Sequence, residues 1–240
     1  MNILNSSFCL FSLPIENIRE DFFRLEKELS VFFAKPFNLV TLPDAAPVEI
    51  PRITAISING FSSLNISLNS YQFITRFDEN YSQDWNKCRD YIKERLYKIY
   101  DVLNTFFKRN LYCGLTVNLI KNLSDKDNAM DILLNNFTKF SSNKEIYDID
   151  SKYTFVKNEN YYVNIRVYNQ RLSTNNVLPG TLKENEKKNN IGILLDINDK
   201  YGFNYKPNYI SSKEQVDNII KIADDIIFNK LENFIMKGEL

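Results

Sequence analysis

Residues 82–108 read SQDWNKCRDYIKERLYKIYDVLNTFFK and residues 212–236 read SKEQVDNIIKIADDIIFNKLENFIM. In the first, Trp85, Cys88, Ile92, Leu96, Ile99, Leu103 and Phe106 recur at steps of three and four. That spacing predicts one long amphipathic helix, with Ser82 as its N-cap and a length of about 40 Å. In the second, Val216, Ile219, Ile220, Ala223, Ile226, Ile227, Leu231, Phe234 and Ile235 form a similar stripe. Ser212 and Gln215 have capping-box spacing, and Gly238 suits the position just past a helix end. The adjacent Asp224-Asp225 is read as this helix's solvent edge.

Each long helix closes a similar series. Ahead of the first lie an apolar strand at Phe8–Leu13 and a helix opened by Pro14, carrying Ile15, Ile18, Phe22, Leu25, Leu29 and Phe32 to about Lys35. A connection marked by Pro36, Pro43, Pro47 and Pro51 follows. Strands are then expected at Ile53–Asn59, Leu64–Leu68 and Tyr71–Phe77, with turns at Asn59-Gly60 and Asn69-Ser70. Ahead of the second lie a strand at Leu111–Ile120 and a short helix capped by Asp125, carrying Met130, Leu133, Leu134 and Phe137. Strands follow near Ile146–Ile149, Tyr153–Val156, Tyr161–Leu172 and Ile191–Asn198, interrupted by a polar loop, Ser173–Asn190, with Pro179-Gly180. The expectation is an α+β fold of two strand–helix–strands–helix halves, residues 1–110 and 111–240. They would form one largely antiparallel sheet with the long helices on one face. Phe106 runs into Leu111 with no linker, so the halves are expected to form a single body.

Composition limits the chemistry. The 240 residues hold 30 Lys or Arg, 30 Asp or Glu and no His. A net charge of zero argues against a dedicated electrostatic nucleic-acid binder. Without His, the commonest general base and metal ligand are both missing, and a Ser–His–Asp triad is impossible. Six glycines build no phosphate-binding loop of known spacing. Cys9, Cys88 and Cys113 lie far apart in apolar runs, so they are read as buried free thiols of a reducing, cytoplasmic setting. The start of the chain lacks a basic segment and a long apolar run, and no stretch reaches the roughly 20 apolar residues of a membrane span. No cofactor and no membrane partner are expected. The abundance of Asn, Lys, Ile and Tyr is of the kind AT-rich bacterial genomes encode.

Three surfaces remain. Asp148 and Asp150, two apart, would share a strand face, and Asp196 ends a later strand; together they offer carboxylates for a magnesium-dependent enzyme. Asp199 lies beside them in the sequence and is read with Asp196 as the end of a strand. Arg89, Lys93, Arg95, Lys98, Lys108 and Arg109 offer one basic side. In Tyr161–Arg171, alternation puts Val163, Ile165 and Val167 on one face and Tyr162, Asn164, Arg166, Tyr168 and Gln170 on the other. Tyr71, Phe73, Thr75 and Phe77 alternate with Gln72, Ile74 and Arg76 in the matching strand of the first half. Tyr and Arg are hot-spot types, so Tyr162, Asn164, Arg166 and Tyr168 are the expected partner-binding residues. The same face would also stack single-stranded bases. The mixed-sign run Lys183–Lys188 is read as a solvated loop.

Ile50-Pro51-Arg52-Ile53, Leu64-Asn65-Ile66-Ser67-Leu68, Tyr71-Gln72-Phe73, Leu194-Leu195-Asp196-Ile197-Asn198 and Ile227-Phe228 resemble a sporadically distributed bacterial family of about 250 residues, the length of one large domain, with no assigned function. The resemblance implies an accessory role, such as bacterial defence or toxin neutralisation, and brings no catalytic residues. The order of elements also looks like the duplicated saddle of the TATA-binding-protein class, an analogy of pattern that does not fix function. The expected function is therefore non-enzymatic protein binding, with self-association as a variant. A nucleic-acid binder and a metal-dependent enzyme using Asp148, Asp150 and Asp196 are the alternatives.

Overall fold

Along Asn2–Ser12 (β1), Ser6, Phe8, Leu10 and Ser12 are buried while Ser7, Cys9 and Phe11 are only half-buried. This period of two sets the whole architecture, because every strand beside it inherits the same in-and-out phase. The structure, a computed structural model, describes all residues except 44, 125, 141, 145 and 174–186; the side chains of 171–173 and 187–189 are also left aside.

The fold is α+β, with a nine-stranded antiparallel sheet among the described residues. Its strands are β1, β2 (Asn38–Leu39), β3 (Ile53–Ile56), β4 (Ser62–Ile66), β5 (Ser70–Arg76), β6 (Asn110–Asn122), β7 (Asp150–Lys157), β8 (Tyr161–Ser173) and β9 (Lys187–Asn198). The order across the sheet is β2-β3-β4-β5-β1-β6-β9-β8-β7. β1 and β6 lie at the centre and pair from Asn2↔Ile120 to Ser12↔Asn110. Outward from this pair run β5, β4 and β3 on one side and β9, β8 and β7 on the other.

The buried side of the sheet carries Phe8, Leu64, Phe73, Leu115, Val117, Ile165, Val167, Ile193 and Leu195, each at most 1% exposed. Such side chains stabilise the fold by roughly 1.5–3 kcal/mol apiece. The helices cover this side: α1 (Phe22–Leu29), α2 (Glu79–Ser82), α3 (Trp85–Leu103), α4 (Ala129–Phe137), α6 (Lys213–Asp225) and α7 (Leu231–Lys237). A further short helix, α5 (Lys200–Tyr205), wraps one end of the sheet. α3 and α6 run antiparallel and side by side. The Trp85 indole N–H donates to Asp224 at 2.7 Å, Tyr97 donates to Asp217, and Lys213 reaches Asp101 at 2.7 Å. The Tyr91 hydroxyl on α3 meets Ser62, on the buried side of β4, at 2.9 Å.

Several boundaries differ from the sequence expectation. The first helix does not open at Pro14; a single turn at Arg19–Asp21 leads into α1, which ends at Leu29. Ile15 instead donates its N–H to the Leu68 carbonyl, tying this segment to the sheet. α3 is capped by Asp84, whose carboxylate accepts from the N–H groups of Asn86 and Lys87, while Ser82 ends α2. Its 19 residues span about 28 Å, shorter than expected. Of the two strands expected at Ile146–Ile149 and Tyr153–Val156, only the second forms, within β7; Ile146–Ile149 precede it outside any strand. Asn128 caps α4 by accepting from the Met130 N–H; the expected cap, Asp125, lies outside the described residues, as do 174–186 of the expected 173–190 loop, whose ends are instead strand: Ser173 closes β8, and Lys187 and Lys188 of the 183–188 run open β9.

The closing helix follows the expected Ser212–Gln215 box and ends with Gly238 at φ 72°. In between, Ile226–Lys230 forms a π turn. The stripe itself explains why: Ile226 to Leu231 is a step of five, which an α-helix would rotate off the core, and the wider turn restores the phase. Asp224 is not plain solvent edge, since it holds the Trp85 indole.

One buried charge locks the centre. Asp199, fully buried, accepts the Cys113 N–H at 2.6 Å, the Ser211 hydroxyl at 2.6 Å and the Tyr209 hydroxyl at 2.9 Å. Burial raises its pKa above the ordinary carboxylate value, against the lowering effect of Ser211, Cys113 and Tyr209.

Leu96 is 1% exposed on α3, so Leu96→Ala should destabilise the chain by about 2–5 kcal/mol in urea melts. Lys93, 3.3 Å from Asp217 and 39% exposed, should cost under about 1 kcal/mol when changed to Ala. Equal losses would place the helix in the wrong phase. Because folding raises the Asp199 pKa, its contribution is full below the unfolded value near pH ~3.9 and is lost as pH rises through the folded value. The stability advantage of the parent over Asp199→Asn should therefore be larger at about pH 4 than at about pH 7. A difference that grows with pH would contradict this.

Candidate functional site

Among the described residues, α5 is the one helix that packs on the side of the sheet away from the other helices, at one end. The side chains on this side follow from the register. One row crosses eight strands: Ile56, Ser63, Ile74, Ser7, Thr116, Asp196, Asn164 and Thr154. The next row toward one end carries Arg76, Asn5, Asn118, Leu194, Arg166 and Lys152. Half of these residues are small or amide-bearing, so the surface is polar without being strongly charged. Arg76, Arg166 and Lys152 are set against Asp150 and Asp196.

The four residues expected to bind a partner all lie on this face, opposite the buried Val163, Ile165 and Val167. They are tied into local networks. Asn164 donates to Asp196 at 2.8 Å, and its carbonyl accepts from Thr154 at 2.8 Å. Asp196 also accepts from Thr116 at 3.2 Å and from Asn198 at 3.0 Å, so three donors fix its carboxylate. Arg166 grips Asp150 with two parallel N–H donors, and this guanidinium lowers the pKa of the Asp150 carboxyl. Thr116, Asp150, Lys152, Asn164, Arg166, Leu194 and Asp196 line a shallow depression of about 410 Å³.

Tyr168 is held by an absence. Gly192 lies across from it in β9, and a Cβ there would stand 2.4 Å from the tyrosine ring. The ring thus lies over the bare backbone, with the Arg166 guanidinium 5.4 Å from its centroid. At the other end of the face, Tyr162 meets Tyr201 of α5 edge-on at 5.3 Å, and Tyr201 meets Tyr205 at 4.6 Å. Phe11 stacks on Tyr112 at 4.6 Å, and Lys200 stands 5.3 Å from the Tyr112 ring. The sequence reading missed α5 and its tyrosines. The row-mates Thr116 and Asn198 were also invisible, since neither is identified until the strand register is known.

The carboxylates considered for a metal do not converge. Asp150 and Asp196 border the same depression, but Asp148 lies exposed ahead of β7, and no strand face carries both Asp148 and Asp150. Among the described residues no three His, Cys, Asp or Glu side chains form a metal-binding group. The thiols are free; burial pushes Cys9 and Cys88 up to about 12, and Cys113 upward as well. Neutral thiols of this kind are poor nucleophiles. The expected basic side is also offset by acids: Arg89 meets Asp90 and Asp224, Lys93 meets Asp217, and Arg95 meets Glu94. No helix among the described residues is long and apolar enough to cross a membrane. No family model matches the chain, and no curated protein matches it.

Gly192→Ala must displace the Tyr168 ring and should destabilise by about 1–3 kcal/mol. Combined with Tyr168→Ala, the loss should be clearly less than the sum of the two, because both changes act on one contact. Strict additivity in thermal melts would show that the ring does not lie on Gly192.

Proposed function

We propose that the chain is a non-enzymatic protein-binding protein whose docking surface is the open sheet face around Tyr162, Asn164, Arg166 and Tyr168. One observation carries this reading: among the described residues a broad antiparallel sheet is covered by helices on one side, with only the short α5 at one end of the other, and that other side presents ordered tyrosines, a fixed Arg–Asp pair and an amide-bearing field. Interfaces favour such residues because Tyr and Arg bury large areas while keeping a polar end satisfied. Around the proposed contact, among the described residues, Arg166 and Lys152 are set against Asp150 and Asp196, which provides little attraction for a phosphate backbone and speaks against the nucleic-acid alternative.

On this reading residues 1–110 and 111–240 are two copies of one strand–helix–strands–helix unit, and the sheet is saddle-like. The strand order, which mirrors itself about the β1–β6 pair, and the two long helices lying together support it. The chain would then act as an accessory protein of the bacterial cytoplasm, in a defence or toxin-neutralising system, as the resemblance of the Pro51-Arg52 and Leu195-Asp196-Ile197 segments implies. The protein partner, or a second copy, would cover the face.

Tyr162→Ala and Arg166→Ala should each weaken the complex with a co-purified protein partner by about tenfold or more, a loss of about 1.4 kcal/mol, while the melting temperature of the free chain changes little. Binding of single-stranded oligonucleotides with a steep salt dependence, abolished by the same two changes, would favour the nucleic-acid alternative instead.

A further inference from the structure

The two ends of the sheet are finished differently. At the β3 end the chain covers its own edge. Asn38 and Leu39 pair with Thr54 and Ile53, and Phe33 bridges Ser57. Ala34 donates its N–H to the Ile56 carbonyl, Ile58 to Phe32, and Val40 to Arg52. At the other end β7 pairs with β8 along its whole length, and among the described residues nothing bonds to its outer side.

The ladder fixes which groups that edge presents. Asn169 donates its N–H to the Ile149 carbonyl, so Ile149 pairs inward. Antiparallel pairing alternates, so Ser151, Tyr153 and Phe155 also turn their backbone groups toward β8. Asp150, Lys152, Thr154 and Val156 turn theirs outward, and all four residues are exposed. A row of unpaired N–H and C=O groups of this kind is a template for one more strand.

The side chains indicate which strand would fit. On the open face Lys152 stands beside Arg166, whose charge is taken by Asp150; Lys152 itself meets no acid among the described residues. Lys157 is held by Asp225 at 3.0 Å. On the helix side, Phe155 is 37% exposed, next to Tyr153, which packs on Phe137 and Phe234. An incoming strand would thus need an acidic residue on the open-face side and apolar residues on the other. A second copy does not supply this. Antiparallel self-pairing along the full strand sets Lys152 against Thr154 or Val156, and only a register that forfeits more than half the strand brings it to Asp150, already engaged by Arg166.

We propose that β7 is a docking edge for an extended segment of a protein partner, with alternating acidic and apolar residues, added to the sheet as a further strand. This edge adjoins the open-face depression, which Asp150 and Lys152 also line, but the proposal does not depend on the open-face contact.

The test pans a random peptide library against the intact chain, then titrates the enriched peptides by fluorescence anisotropy. Enriched peptides should alternate apolar residues with Asp or Glu, and hydrogen exchange should slow at the amides of Lys152, Thr154 and Val156 when they bind. Thr154→Pro removes one outward N–H and no backbone bond to β8, costing only the side-chain bond to Asn164, and edge strands tolerate proline at such a position. It should stay folded and lose binding by about tenfold or more. Lys152→Glu should reverse the preference for acidic peptides, and this carries the test if the proline variant does not fold. Tyr162→Ala, which alters no charge at the edge, should leave peptide binding unchanged, which separates failure here from failure of the open-face reading. The proposal is overturned if no peptide is enriched or if enriched peptides bind Thr154→Pro as tightly as the parent. It is equally overturned if the edge is filled by a dimer that the proline change dissolves.

Discussion

The central ladder between β1 and β6 is the constraint on which the rest of the structure depends. It joins residues 98 to 118 positions apart, from Ser12↔Asn110 to Asn2↔Ile120, and fixes one in-and-out phase for the whole sheet. Because side chains alternate with period two, that phase sends Phe8, Leu115 and Val117 to the same side and leaves Ser7, Thr116 and Asn118 on the other. The long helices then have one apolar surface to cover. They meet there, linked by Trp85–Asp224 and Tyr97–Asp217. Asp199 reinforces the centre by bonding to the Cys113 backbone next to the ladder.

The uncovered face follows from the same constraint. With the helices on one side, the other side must satisfy its polar groups by cross-strand bonds and water. The chain does so with short side chains: Asn164, Asn198 and Thr116 around Asp196, and Thr154 on Asn164. The larger groups are held down, Tyr168 on the Gly192 backbone and Arg166 on Asp150. Side chains fixed in this way lose little freedom when a partner arrives, a condition for tight association.

Much of the architecture was legible because the signals were long. The stripes from Trp85 to Leu103 and from Val216 to Ile235, and the alternation in Tyr161–Gln170, each repeat often enough to outweigh local preference. What failed was short. Pro14 carried a helix-start signal, but the sheet claimed the following backbone through the Ile15–Leu68 bond. Ser82 lost its role to Asp84, two residues on, because both are good caps and only packing of Trp85 chooses between them. The π turn was not legible, because Ile227, four residues before Leu231, keeps the apolar pattern at an ordinary helical step. The face bearing Tyr162, Asn164, Arg166 and Tyr168 was legible from one strand alone. Its neighbours were not, since the contact of Asn164 with Asp196 spans 32 positions and that of Thr116 with Asp196 spans 80. Asp148 and Asp150 looked paired in sequence, but the strand begins only at Asp150.

The central claim is that one face of the sheet is open in the isolated chain. Hydroxyl-radical footprinting of the purified protein, read by mass spectrometry at the tyrosines, tests it most directly. Tyr162 and Tyr205 should oxidise readily, while Tyr71 and Tyr161, each 2% exposed on the helix side, should be protected. Protection of Tyr162 and Tyr205 equal to that of Tyr71 would mean the face is covered and would contradict the account.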